Sequence, residues 1–503
     1  MSAPRKLAGS FAGTLLMLVL AGCASVDPLR AVRLSSGPQL RACIEWYEAL
    51  DAAVEAAGVR DVQAARVEGF PYLRVDRFAA SLREPARAGE SAFHALVDRM
   101  LALDLEARTI EIANLPIQNL RAAWEGLGEP EVAASVRQTR ECGRHLRTSD
   151  LGRPGIGDSL LKRLRVPDDY VTGYRIAGLY ALTRIPFAAG VRKHIVETQA
   201  AFERDLDATA QGLVVRYSPA SRPRVSREEL RALFERIALN PLRVPEPAKE
   251  DIEKLFGIYA PSFEIETTGD YDRPGALRWR WGTLPEVDAA DPAVYRQVAH
   301  TRFRGRNLLQ LVYTVWFPER PAQGPNDLLA GALDGVVFRV TLAPDGAPIV
   351  YDTMHPCGCY HMFFTTPRAV PLPAPEDEPE WAFVPQKLRG MTHEDRFVVR
   401  VASRTHYVDR VFRDQDDGLA HYALRPYGEL RSLRLMRGGS QSVFGPDGMI
   451  AGTERGERYL FWPMGVENAG AMRQWGHHAT AFVGRRHFDD ADLLERRFML
   501  DIQ

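Results

Sequence analysis

The sequence predicts an α+β protein: an N-terminal all-helical domain followed by a mainly antiparallel β domain, either a sandwich or an irregular barrel. Three observations carry this. From Pro38 to about Phe256, apolar residues recur at helical spacing between Gly and Pro punctuation. After Phe263 the apolar runs shorten and fill with β-branched and aromatic residues. Pro344-Asp345-Gly346 and Pro446-Asp447-Gly448 are tight-turn signals that join such runs without room for crossover helices, which makes neighbouring strands antiparallel. A chain of 503 residues is long enough for two cores. Prolines thicken between Pro241 and Pro261, which divides a helical domain, 38–260, from a β-rich domain, 261–503.

In the helical part, Pro38 suits a first helical position, and the run it opens ends at Gly58. Further helices are expected from Glu90 to Leu103, Ile117 to Gly126, Pro130 to Cys142 and Val191 to Ala210. Ser226-Arg227-Glu228-Glu229 is a capping-box pattern opening a run to Leu239. In the β part, Leu308 to Phe317, Val336 to Leu342 and Phe397 to Ala402 read as buried strands. Six prolines and the cluster Glu376-Asp377-Glu378 exclude a central strand from 367–385, which is expected to be an extended loop, disordered or acting as a lid. A short helix follows Asp489-Asp490.

At the N-terminus, Arg5 and Lys6 precede an apolar run from Phe11 to Ala21 that ends in Leu20-Ala21-Gly22-Cys23. The run is too short for a permanent span. Residues 1–23 resemble a bacterial lipoprotein signal, whose lipobox cysteine is acylated and becomes the first residue of the mature chain. The resemblance implies removal of 1–22, a lipid on Cys23, and a tether over 23–37. Because Ala24 rather than an aspartate follows Cys23, it also implies attachment to the outer membrane, facing the periplasm. The membrane is then one partner, and an envelope protein is a candidate second. A formal net charge of −1, with signs interspersed, leaves no electrostatic footprint for nucleic acid.

With Cys23 acylated, four cysteines remain in a compartment that permits disulfides. Cys43 shares an apolar helical face with Leu40, Ile44, Tyr47 and Leu50, and Cys142 ends another helical run; a bridge between them is expected, with two buried thiols as the alternative. The other two stand in Met354 to Phe364, MHPCGCYHMFF. On a straight strand His355, Cys357, Cys359 and His361 would share one face, and the outer histidines would be roughly 20 Å apart. The two sulfurs can share one ion, and Pro356 and Gly358 could wrap the chain to add a histidine. His478, from the adjacent pair His477-His478, is the further candidate ligand.

Thiolate and imidazole donors suit zinc, with copper the alternative because Met354 and Met362 flank the motif. A Cys357–Cys359 disulfide, or two unpaired structural thiols, compete with any metal. Asp270 and Asp272 in GDYDRPG read first as turn acids capping neighbouring amides, and second as a carboxylate site. No nucleophile elbow, phosphate loop, dinucleotide fingerprint or HExxH helix occurs, so no reaction is assigned. The expectation is an envelope lipoprotein with a candidate metal-binding Cys/His cluster. The alternative is a non-enzymatic interaction or assembly lipoprotein whose Cys-Gly-Cys is a structural or redox disulfide.

Overall fold

The computed structural model describes residues 28–123, 131–205, 212–280, 284–416 and 418–502. The expected signal segment with Cys23 lies outside the described residues, as do Pro130 and the expected helix ends 124–126 and 206–210. Among the described residues, no helix is long and apolar enough to cross a membrane.

The N-terminal region is helical. Helix α1, Pro28–Ser35, occupies much of the stretch expected as a tether; Arg33 is buried there, its Nε donating to Asp150 Oδ1 (3.2 Å) and its Nη1 to Gly69 O (2.9 Å). Helix α2, Pro38–Ala57, begins on its proline and stops where Gly58 turns left-handed (φ 65). An antiparallel hairpin, β1 Ala65–Val67 and β2 Phe70–Val75, is set between the helices. Helix α3, Glu90–Asn114, runs well past Leu103, and α4, Val132–Leu151, well past Cys142. In α3 the extension buries charged residues among apolar ones. Arg74, fully buried on β2, donates to Asp104 (3.2 Å) and Glu111 (2.7 Å) of α3, and Arg108 joins the same acids. Such pairs hold a helix in place when every charge has its partner. Cys43 of α2 and Cys142 of α4 are joined, S–S 2.09 Å, across a sequence separation of 99.

The C-terminal region is a large mixed sheet curled into a nearly closed barrel. It follows α5, Tyr180–Glu203. Its first strand, β3 Leu213–Pro219, lies inside the stretch expected to be helical. Helix α6, Arg227–Ile237, opens on the capping box, with Glu229 N–H donating to Ser226 Oγ (3.2 Å) and Ser226 N–H to Glu229 Oε2 (2.8 Å). Helix α7, Lys249–Tyr259, follows, and both α6 and α7 pack into the barrel's core. Helices α6 and α7 therefore pack with the sheet, while Leu242 and Val244 between them join the core of the helical region. The remaining strands are β4 Ser262–Thr267, β5 Ala293–Phe303, β6 Arg306–Arg320, β7 Gly331–Leu342, β8 Pro348–Met354, β9 Met362–Thr365, β10 Gln386–Lys387, β11 Phe397–Val401, β12 Val408–Arg413 and β13 Ala420–Pro426.

Their order is β10-β9-β8-β7-β6-β5-β13-β3-β4-β11-β12. The meander β5 to β9 is antiparallel, and Gly346 (φ 81) makes the β7–β8 turn. Parallel pairings enter where strands distant in sequence meet: β13 with β3 and β5, β4 with β11, and β9 with β10. The two end strands approach each other at one residue. Gln386 Nε2 donates to Val411 O (2.6 Å), and Val411 N–H donates to Gln386 Oε1 (3.2 Å). Tyr313, Val315, Phe338, Val340, Phe364 and Val399 fill the interior.

The two regions are clamped by charge. Arg431 donates twice to Asp61 (2.8 Å each), and Arg77 donates to Asp489 (3.2 Å). The Pro-rich loop is held down: Ala369–Pro371 pairs with Phe498–Leu500, and Glu380 Oε2 accepts from the N–H groups of Phe482 (2.8 Å) and Val483 (2.7 Å). The expected final helix is Leu493–Arg497.

Candidate functional site

The Cys/His motif is a turn and not a strand. β8 ends at Met354 and β9 begins at Met362, so the single-face alignment of His355, Cys357, Cys359 and His361 does not occur. Pro356 and Gly358 are the cause. His355 N–H donates to Cys359 O (3.0 Å), Gly358 N–H to His355 O (2.8 Å), and Gly358 takes φ 92. A side chain at Gly358 would place its Cβ 2.4 Å from Ala479 O. Arg473 N–H donates to Pro356 O (2.9 Å), so the segment carrying His478 packs directly on the motif.

Cys357 is buried, Cys359 half-buried, and both are free thiols. They touch: Cys359 N–H donates to Cys357 Sγ (3.4 Å), and a hydrogen bond between the side chains, with burial, pushes the Cys359 thiol well above its ordinary value. His355 Nδ1 lies 3.1 Å from Asp334 Oδ1, and His361 Nε2 lies 2.9 Å from Asp352 Oδ2, a carboxylate also gripped by Arg339. Burial, assisted by Arg473, holds His478 down at about 3. Each of these three rings has one buried nitrogen without a hydrogen-bond partner: His355 Nε2, His361 Nδ1 and His478 Nε2.

Among the described residues, no three His, Cys, Asp or Glu side chains stand together as a group able to hold a metal ion. The five expected ligands, Cys357, Cys359, His355, His361 and His478, are thus not assembled as one set. Met354 packs in a small apolar cluster with Val312, Val337 and Phe488, and Met362 packs in the barrel core. His477 has both nitrogens engaged, Nδ1 by Asp169 (2.8 Å) and Nε2 by Val62 O (2.9 Å).

A second constellation stands beside the thiols: a buried chain Asp272–His406–Asp334–His355. His406 Nδ1 lies 2.9 Å from Asp334 Oδ2, and its Nε2 lies 3.4 Å from Asp272 Oδ1. Its ring stacks on Phe317 at 4.0 Å. Burial pushes His406 down, but the two carboxylates more than offset this and raise it. Burial likewise acts to raise Asp334, and His355 with His406 holds it well below the carboxylate range. An ionised carboxylate only accepts, so His355 Nδ1 carries a proton toward Asp334.

Around His355 stand the rings of Tyr360 (5.0 Å) and Tyr407 (5.7 Å). Arg320 lies over Tyr407 and donates to its hydroxyl (3.2 Å). Burial raises the nearby Glu457 carboxyl to about 7. Leu333, Tyr360, Arg404 and His406 all adopt left-handed backbone (φ 52, 58, 65 and 52). Strain of this kind costs on the order of 1–3 kcal/mol per residue and gathers at functional sites. Asp272 serves both roles read from its sequence: it accepts from Thr268 N–H (2.8 Å) and Arg404 N–H (2.7 Å) as a turn acid, and it partners His406. Asp334 and His406 were not singled out by the sequence; a charged residue inside the apolar strand LDGVVF was the available signal.

No family model, no curated protein and no solved structure matches this chain. The site itself offers two thiols in contact, an imidazole oriented by a carboxylate, and a carboxyl that titrates near neutrality.

Proposed function

We propose that the chain is a cell-envelope lipoprotein, anchored in the outer membrane through Cys23 and facing the periplasm, whose barrel presents a redox-active dithiol at Cys357 and Cys359. The contact between these two free thiols, within a turn bent by Pro356 and Gly358, carries the reading. In the reaction, the more exposed Cys359, whose raised thiol must first give up its proton, attacks a disulfide on a partner protein and one partner thiolate leaves. Cys357 then attacks the Cys359 sulfur of the mixed disulfide and the partner's second thiolate leaves. Two electrons pass to the partner, which becomes a dithiol, and Cys357 and Cys359 become bridged. Glu457, whose charge acts on Cys359 and whose carboxyl is raised to about 7, is the group to take that proton.

The test equilibrates the full-length protein across glutathione buffers, traps thiols by alkylation and reads each cysteine by mass. The 357/359 pair should interconvert at a potential more oxidising than the about −300 mV typical of structural disulfides. A pair that stays reduced at every poise, or stays bridged throughout, refutes the reading.

A zinc or copper site is the second reading. Its support is that His355 and His361 each turn one nitrogen to a buried carboxylate and keep the other unpartnered, as ligating histidines do. Elemental analysis after mild purification and after metal loading decides it: about one ion per chain for the metal site, under about a tenth without it.

A further inference from the structure

Helix α5 carries apolar side chains on both of its faces. One face is covered. Phe187 packs its ring against Phe461 (4.9 Å) and Phe482 (5.1 Å), His194 lies 5.4 Å from the Tyr360 ring, and Phe202 enters the barrel core. The other face is open to solvent. Leu182, Ile185, Ala189 and Val196 recur at three-, four- and seven-residue spacing, which sets them on one side of a helix. All four are exposed, Leu182 at 65% and Ile185 at 62%. A helix that is apolar all round is ordinarily buried all round.

Two neighbouring pieces widen this face. The short helix Thr172–Ala177 and its link to α5 add exposed Ile176 and Leu179, and the turn 458–464 adds exposed Tyr459 and Leu460. The pieces are held side by side: Val171 N–H donates to Gly465 O (2.7 Å), Arg175 Nε donates to Met464 O (2.8 Å), and the rings of Tyr174 and Trp462 meet edge to face at 6.2 Å. Single exposed apolar residues are ordinary, whereas a set gathered on one face marks a docking surface.

Charge and the position of the N-terminus indicate what covers it. Neither 171–196 nor 458–466 contains an Asp or Glu, although the whole chain has 65 acidic residues against 64 basic ones. Those two segments hold Arg175, Arg184, Arg192, Lys193 and Arg458. Arg192 and Lys193 are exposed and fall on the open face between Ala189 and Val196. Lys193 reaches only Glu197 beyond it (3.7 Å), an exposed pair that a lipid phosphate can replace. Aliphatic side chains with Tyr and Trp beside them, cations and no acids form the composition of a surface that lies in the headgroup region of an anionic bilayer. The described chain begins at Pro28, five residues after Cys23, so a lipid there brings the folded body to within about 17 Å of the membrane.

We infer that this face docks on an anionic phospholipid bilayer, as a second membrane contact besides the lipid on Cys23; the choice of a bilayer rests on the lipoprotein reading above. Leu179, Leu182, Ile185 and Leu460 enter the acyl boundary, and Arg192 and Lys193 meet lipid phosphates. The turn that carries Cys357 and Cys359 is then held one helix thickness from the bilayer, since His194 on the covered face of α5 lies against Tyr360.

The test reconstitutes the full-length protein in vesicles of phosphatidylethanolamine and phosphatidylglycerol containing a lipid with a photoactivatable diazirine in its acyl chain, and maps labelled peptides by mass. Labels should fall on 172–189 and 458–464 at about fivefold or more the level around Leu239, an exposed leucine outside this face. Leu182→Glu with Ile185→Glu should cut labelling of the unaltered 458–464 by about fivefold or more, with an unchanged urea midpoint because both side chains are exposed. Leu239→Glu should leave it as in the wild type. Labelling confined to the N-terminal peptide, equal labelling around Leu239, or labelling of 458–464 indifferent to the double substitution overturns the inference, as does cover of this face by a second copy or a protein partner. The mass of the N-terminal peptide reads acylation of Cys23 in the same sample. A chain without the lipid that still labels on this face refutes the anchor and keeps the inference, and an acylated chain without such labels does the reverse.

Discussion

Replacing Cys43 and Cys142 together by alanine should destabilise the helical region and leave the barrel nearly untouched. The bond closes a loop with a sequence separation of 99. A loop-closure entropy of about −2.1 − 1.5R ln n cal/mol/K, with n near 100, gives roughly 16 cal/mol/K, or about 4.7 kcal/mol at 25 °C. Residual structure in the unfolded chain lowers that, so a loss of about 3–4.7 kcal/mol is expected. The loss should be local because α2 and α4 share one apolar core with β2, while β6 and β7 belong to another. Native-state hydrogen exchange read by mass spectrometry resolves the two. Opening free energies in α2 and α4 should fall by the stated amount, and those in β6 and β7 by less than about 1 kcal/mol. A loss under about 1 kcal/mol in α2 and α4, or an equal loss in both regions, would refute the reasoning.

Stability should peak near the ordinary histidine value. Burial holds His300 at about 3, so the unfolded chain binds more protons between that value and about 6.5, and stability falls by about 1.4 kcal/mol per pH unit as pH drops through this window. His487, raised to about 9 by Asp169 and Asp490 despite burial, stabilises fully below about 6.5, and that contribution is lost as pH rises through 9. Urea melts showing no decline on either side of about pH 6.5 would contradict both assignments. Gly358→Ala adds a Cβ against Ala479 O at φ 92, and should cost about 2 kcal/mol or more while speeding alkylation of Cys357; wild-type midpoint and labelling rate would show that the turn tolerates it. Gln386→Ala removes both bonds to Val411 and should cost about 1–3 kcal/mol, with faster exchange confined to β10 and β12; unchanged exchange there would mean those strands are held by something else.

What was legible in the sequence follows from which interactions are local. Helix α2 was readable at both ends because a proline and a glycine mark them. Helix α3 was readable only to Leu103, because beyond it Asp104, Arg108 and Glu111 interrupt the buried apolar face at Ala107 and Ile112, and an apolar pattern cannot register positions satisfied by salt bridges. β3 was hidden because its neighbours, β4 and β13, come from later in the chain and one of them pairs parallel. At the site, the cysteine spacing was visible and its bend was foreshadowed by Pro356 and Gly358. The Asp272–His406–Asp334–His355 chain was not, since its members arrive from separate segments and meet only when the barrel curls.

The seam of that barrel has a mechanical meaning. Where a continuous sheet would place a backbone amide, Gln386 offers the amide of a side chain, presenting the same donor and acceptor to Val411. A cylinder stitched this way has no long bare edge to recruit a foreign strand. It also has a designated line of weakness: expansion can proceed by swinging one side chain aside, without unzipping any ladder, so breathing of the interior should be directed toward the β10–β12 side.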